Sequence, residues 1–314
     1  DPSLPVCDAG SGACVQCLAG GDVSACEGTT PVCDEETNTC VKCEWHEDCP
    51  DTACRMSTGE CFPGPVIEAA DADQVTVAID DIAALNPSMG VIHLHASSDS
   101  SDVVVPPGVV VAILGEGQSM SEWTAINTPG LTIEGDAEAY VQNVRIEATS
   151  GAVGILINGA LWLDRSAVVN NYYGAVQVNG SAVIRNSFVG GDISDVAEID
   201  VQGGNVVISF TTIGAGFGAS AAIRCTNADT VTVTNSLLVS RGTDDVVQCD
   251  SAEITNSALE QQQVGDNVML GALDTSWFTS YATGDFFFND TATTEIYTAA
   301  SWQPGDPLVD IDGD

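Results

Sequence analysis

The sequence predicts an all-β chain: a right-handed parallel β-helix of roughly eight coils with a short N-terminal capping helix, preceded by a small disulfide-rich module. Three observations predict it. Ten of the twelve cysteines fall within the first 61 residues. Further on, short β-type runs return at steps of 21, 23, 24 and 24 residues. Between the two regions a short segment carries helical periodicity.

Composition bounds the partners. The chain has 45 Asp and Glu against 7 Lys and Arg, a formal charge of -38. Binding to a nucleic-acid backbone or an anionic membrane surface draws on cationic side chains, so neither is expected as a partner. No apolar run reaches the ~18 residues of a transmembrane helix. Yet at 44% apolar residues the chain is too hydrophobic for a disordered polyanion. It opens at Asp1-Pro2 without a signal peptide, as expected of a mature or trimmed secreted chain.

The module comes first. Its cysteines are Cys7, Cys14, Cys17, Cys26, Cys33, Cys40, Cys43, Cys49, Cys54 and Cys61. Pro5-Val6-Cys7-Asp8 with Cys14-Val15-Gln16-Cys17 returns as Pro31-Val32-Cys33-Asp34 with Cys40-Val41-Lys42-Cys43, and Cys54 to Cys61 is a shortened third copy. Such density reads as a disulfide framework made in an oxidising compartment. Zinc is the rival, since C-x-x-C occurs at Cys14/Cys17 and Cys40/Cys43, but strongly acidic surroundings favour disulfides. The pairing stays open. So small a module needs staples to fold. It is read as residues 1–65, a spacer or interaction stalk ending at the linker Phe62-Pro63-Gly64-Pro65, with the β-helix domain over residues 66–314.

Val75, Ala78, Ile79 and Ile82 follow the i, i+3, i+4, i+7 pattern of one amphipathic helix, which stops at Asn86-Pro87. Then the coils begin. Ile155-Leu-Ile157, Val176-Gln-Val178, Ile199-Asp-Val201, Ile223-Arg-Cys225 and Val247-Gln-Cys249 superimpose, and second and third apolar runs follow each in phase. A sandwich would show hairpin turns without this longer period. Leucine-rich repeats share the period but demand a leucine consensus that is absent.

A polar corner precedes each third run. Asn143, Asn186, Asn235 and Asn256 occupy it, with Arg165 and Phe210 in the two intervening coils. These asparagines are expected to form a structural ladder, stacked amides passing hydrogen bonds along the axis. A row of ligand-binding amides is the functional alternative. Cys225 and Cys249 hold one place in consecutive coils, and a rung spacing of ~4.8 Å suits a disulfide. A bridge between them is expected, with free buried thiols as the rival.

The opening coil, Val91-Ile-His-Leu-His95, Val103-Val-Val-Pro-Pro-Gly108 and Leu114-Gly-Glu-Gly117, resembles the first turn of secreted bacterial pectate-lyase-like β-helix proteins. The segment from Gln303 to Asp314 is similar to the closing segment of that group, which normally runs on past this point. The group has a short helix capping the N-terminal end, which Gln74–Leu85 would supply here. The Cys-rich repeat resembles modules on surface proteins of myxobacteria and their relatives. These resemblances imply fold and secretion to the exterior or the cell surface.

One stretch stands apart. Asn289-Asp-Thr-Ala-Thr-Thr-Glu-Ile-Tyr-Thr298 is what a common sequencing-adapter oligonucleotide encodes in one frame. Residues 286–298 are therefore read as a sequence artefact. A peptide covering this span, found by mass spectrometry of natural material, would overturn that reading.

Chemistry is sparse. The resemblance to pectate lyases would imply an Arg or Lys base beside calcium-binding carboxylates, but the β-helix region has no lysine. It has only Arg145, Arg165, Arg185, Arg224 and Arg241. With 33 acids against those 5 arginines, it would also repel a polyuronate unless calcium bridged them. Arg165 and Arg185, in adjacent coils, are expected to come near each other. His93 and His95 share one strand face and could supply two metal ligands, with no third evident. Calcium is the most plausible ion, at Asp310, Asp312 and Asp314, whose hard oxygens alternate around a glycine turn. A solvated acidic end is the plainer reading of those three.

The expectation is therefore a secreted or cell-surface structural and adhesive protein. It would bind extracellular glycan or self-associate into a surface structure, without catalysis. The alternative is a polysaccharide lyase or glycoside hydrolase of the same fold. Two or more carboxylates with an arginine in one groove would favour the enzyme. Outer-face aromatics such as Tyr172 and Tyr173 would favour sugar binding.

Overall fold

The computed structural model describes residues 6–7, 14–18, 26, 28–34, 36–49, 51–95, 98–117, 120–149, 151–191, 196–217, 221–242, 245–303, 306–307 and 311. The chain divides into two compact units. One comprises Asp1–Ile67 with Met89–Val91, the other Glu68–Ser88 with Ile92–Asp314.

In the first unit each copy of the repeat is an antiparallel hairpin that sets two cysteines opposite one another: Cys7 and Cys14, Cys33 and Cys40, Cys54 and Cys61. Bonding runs elsewhere. Cys17 pairs with Cys33, Cys26 with Cys40, Cys43 with Cys54 and Cys49 with Cys61. Each set interlaces, first with third and second with fourth. Cys43, Cys49 and Cys54 then form a small core with Val32 and Met56 against it. Closing loops of 11 to 16 residues, each bridge contributes about 3 kcal/mol by restricting the unfolded chain.

The second unit is a parallel β-helix of about eight coils. Three sheets run along it: one of seven strands from Val103–Val105 to Val247–Gln248, and two of nine. Every successive pairing in the seven-stranded sheet is parallel, with Leu131, Ile155, Val176, Ile199, Ile223 and Val247 in one register. These residues are buried, as are Ile133, Ile157, Val178 and Val201 two places on. Period-2 alternation therefore points Thr132, Leu156, Gln177, Asp200, Arg224 and Gln248 outward. Cys225 and Cys249 are bonded, with Cα atoms 4.9 Å apart, close to the rung spacing.

Helix α1 runs Ala72–Ala83, two residues earlier than the periodicity suggests, because Asp71 caps it by accepting from the Gln74 N–H. It buries Val75, Ala78, Ile79 and Ile82.

The corners explain the coil register. Asn143, Arg165, Asn186, Phe210, Asn235 and Asn256 all have left-handed backbone, φ between 43° and 56°. Asparagine tolerates that conformation best after glycine, which accounts for its recurrence. Asn143 and Asn235 bond differently. The Asn143 amide donates to the Gly115 and Gly117 carbonyls, whereas the Asn235 side-chain oxygen accepts from the Ser301 N–H. An axial ladder forms one residue on, through buried hydroxyls. Ser166 Oγ accepts from Val144 N, Ser187 from Ser166, Ser236 from Thr211 and Ser257 from Ser236. Each hydroxyl donates to the carbonyl two residues before it, as Ser236 does to Thr234 at 2.7 Å. An amide stack stands at a different corner, where Asn179 donates to Asn158 at 2.8 Å.

The C-terminal part packs on the outer face of the sheet that runs from Ser98–Asp99 to Val268–Leu270. Trp277, Phe278, Tyr281, Phe286 and Ile296 are buried there with Leu237, Val239, Ala258 and Leu270. Gly214 makes room, since a Cβ there would lie 2.4 Å from the Phe286 ring. Residues 286–298 thus include part of the strand Asp285–Phe288 and of helix α2, Thr294–Ala299.

Candidate functional site

The outward row of the seven-stranded sheet floors a groove of about 590 Å³. Leu156, Gln177, Asp200 and Arg224 lie along it, one per rung. The wall comes from the turns that precede the strands, including Asn127, Pro129 and Tyr173. Tyr173 is set by its turn. Asn170 has left-handed backbone and Gly174 a φ of 91°, while buried Asn171 accepts from the Ala148 N–H at 2.7 Å. That anchor leaves Tyr172 and Tyr173 half-exposed, their rings edge to face at 5.1 Å.

The floor is electrically balanced. Arg224 Nε donates to Asp200 Oδ1 at 3.0 Å, and Gln202 Nε2 donates to Oδ2 at 2.9 Å. The bond to Asp200 raises the Arg224 guanidinium above its ordinary value, the opposite of what a proton-abstracting base needs. Asp200 is the one carboxylate among the described lining residues, whereas glycoside hydrolysis uses two. The groove offers an aromatic face, an amide and a paired carboxylate and guanidinium. That set can stack on a sugar ring and hydrogen-bond its hydroxyls.

A second groove, about 580 Å³, lies on the outer face beside the C-terminal segment and contains Glu122, Arg145 and Glu147. With Asp285 it has three carboxylates and one arginine, a set that would suit an enzyme. Its polar atoms are heavily engaged. Arg145 donates to Glu147 Oε1 through both Nε and Nη2, at 2.9 and 2.7 Å, and to the Thr283 carbonyl at 2.9 Å. Asn170 donates to the same Glu147 oxygen. These bonds hold residue 283 to the sheet.

The remaining arginines are also held. Arg165 and Arg185 converge, as their adjacent coils suggest, on the buried Asp164 at 3.4 and 2.9 Å. Arg241 stacks 3.8 Å above the Phe217 ring. Asp310, Asp312 and Asp314 lie outside the described residues. His93 and His95 do share an outer face, with Ile92 and Leu94 buried beneath. Against them stand Glu68 and Glu116, one coil earlier and one later. Stepping about one coil period forward and back from the histidines would have found them in the sequence.

Residues 1–67 match a family described as "Family of unknown function (DUF8331)". No curated protein matches the chain in sequence. A solved structure, the crystal structure of Escherichia coli ybhc, is similar at 12% identity with a TM-score of 0.45, covering 63% of this chain and 72% of that one.

Proposed function

We propose that this is a non-catalytic extracellular or cell-surface protein whose seven-stranded-sheet groove binds an uncharged glycan. The observation that carries the reading is the set of Tyr173, Gln177 and the paired Asp200 and Arg224 in one groove. Five disulfides among the described residues support an oxidising compartment. Among those residues no helix is long and apolar enough to cross a membrane. The net charge of -38 disfavours anionic polysaccharide.

A screen of glycan binding and turnover on one sample, with and without calcium, tests this. Saturable binding of a neutral oligosaccharide that Tyr173→Ala weakens at least tenfold is expected. Turnover would overturn it in favour of the second reading, a lyase or hydrolase working in the Glu122, Arg145 and Glu147 groove. In that case Glu122→Gln would abolish turnover. Concentration-dependent assembly without glycan binding would instead identify a self-associating surface element, and calcium dependence would direct attention to Asp310, Asp312 and Asp314.

A further inference from the structure

We infer that Glu68, His95 and Glu116, supported by His93, form a binding site for a divalent transition-metal ion of the zinc class. The four side chains come from three adjacent strands of one sheet, His95 and Glu116 directly following the ends of theirs. Backbone bonds fix the register, from His95 N to the Ala69 carbonyl at 2.9 Å and from Glu116 N to the Leu94 carbonyl at 2.8 Å. Alternation puts Ile92 and Leu94 in the core, so both histidines face outward. One ligand atom each from Glu68, His95 and Glu116 lies within 4.8 Å of the others. A tetrahedral ion with bonds of about 2.1 Å holds its ligands about 3.4 Å apart, so small side-chain rotations suffice.

The hydrogen bonding points the same way. His95 Nδ1 lies 2.6 Å from Glu116 Oε2, the distance of a strong N–H to carboxylate bond. A neutral imidazole has one N–H, enough for one acceptor. Yet Nε2 faces another acceptor, Glu68 Oε2, at 3.3 Å. A cation held among His95, Glu68 and Glu116 satisfies both carboxylates. His93 Nδ1 sits 3.5 Å from Glu68 Oε1 and 3.4 Å from Glu116 Oε1, between the two carboxylates, and acts as a positioning residue. Two carboxylates and a neutral imidazole balance a divalent charge. The nitrogen donor selects zinc, nickel, copper or cobalt over calcium and magnesium, which take oxygen ligands. Three protein ligands leave a fourth position open. Cys17, Cys26, Cys33, Cys40, Cys43, Cys49, Cys54, Cys61, Cys225 and Cys249 do not compete, because they are in disulfides.

The test uses the full, oxidised chain, stripped with chelator and titrated with Zn²⁺ by calorimetry and with Co²⁺ by visible absorption. One ion per chain is expected, with tetrahedral Co²⁺ bands. His95→Ala, Glu68→Gln and Glu116→Gln should each weaken binding at least tenfold, and His93→Ala about 10- to 100-fold. Asp250→Asn, an exposed acid in a turn of a distant coil, should bind as the parent does. All four altered side chains are partly exposed, so circular dichroism of each variant should match the parent. No saturable binding would overturn the site. Unchanged affinity in the folded variants would equally overturn it.

Discussion

Arg224 Nε meets Asp200 Oδ1 at 3.0 Å across one rung of the seven-stranded sheet, in the groove that holds Tyr173. The guanidinium is partly exposed, so the pair contributes only about 0–1 kcal/mol to stability. Arg224→Ala should leave the melting temperature nearly unchanged. It should weaken glycan binding about tenfold or more, because Asp200 is left as an uncompensated charge in the groove. Paired thermal unfolding and binding measurements separate the two effects.

Glu198 supplies a pH signature. It occupies the position that is Gly154 or Ala175 in the two preceding coils. Burial is the main cause of a carboxyl held well above its ordinary value, only partly offset by the Gly216 and Ala175 N–H groups. Its Oε1 has no hydrogen-bond partner among the described residues. Between the unfolded and folded values the native state binds the extra proton, so this group lowers stability as pH rises. Glu198→Gln should flatten that part of the profile and raise stability at neutral pH. Denaturant unfolding at pH 4.5 and pH 7.5 checks the sign.

The Cys225–Cys249 bridge closes a separation of 24 residues. Replacing both by alanine should cost about 3 kcal/mol, seen as a lower denaturation midpoint. Alkylation without reductant should leave both residues unmodified in the parent.

Phe210 has left-handed backbone with φ of 51°, at a corner where four other coils carry asparagine. A bulky residue there is strained. Phe210→Asn should stabilise the fold by about 1 kcal/mol, whereas Ser236→Ala, one rung on in the hydroxyl ladder, should destabilise it by about 1–3 kcal/mol. Calorimetric melting of the two variants gives opposite shifts.

The coil period was legible because inward residues such as Ile155, Val176 and Ile199 must alternate with outward ones. Both the corner residues and the shared place of Cys225 and Cys249 could be read from the same phase. What the corners do was harder to read. Their shared property is a backbone dihedral angle, and an axial hydroxyl ladder runs beside them through Ser166, Ser187, Ser236 and Ser257. Sites were least legible, because each forms across rungs. Tyr173 and Arg224, like His95 and Glu116, become neighbours only when coils stack. The interlaced disulfides have the same cause, since hairpins place Cys33 opposite Cys40 while the bonds run to Cys17 and Cys26.

Along the seven-stranded sheet the outward side chains are Val104, Thr132, Leu156, Gln177, Asp200, Arg224 and Gln248, no two neighbouring rungs of a uniform spacing alike. A threadlike ligand laid along this axis meets even rungs but uneven chemistry. It finds one seat, defined by Asp200 and Arg224, instead of a track on which it could slide.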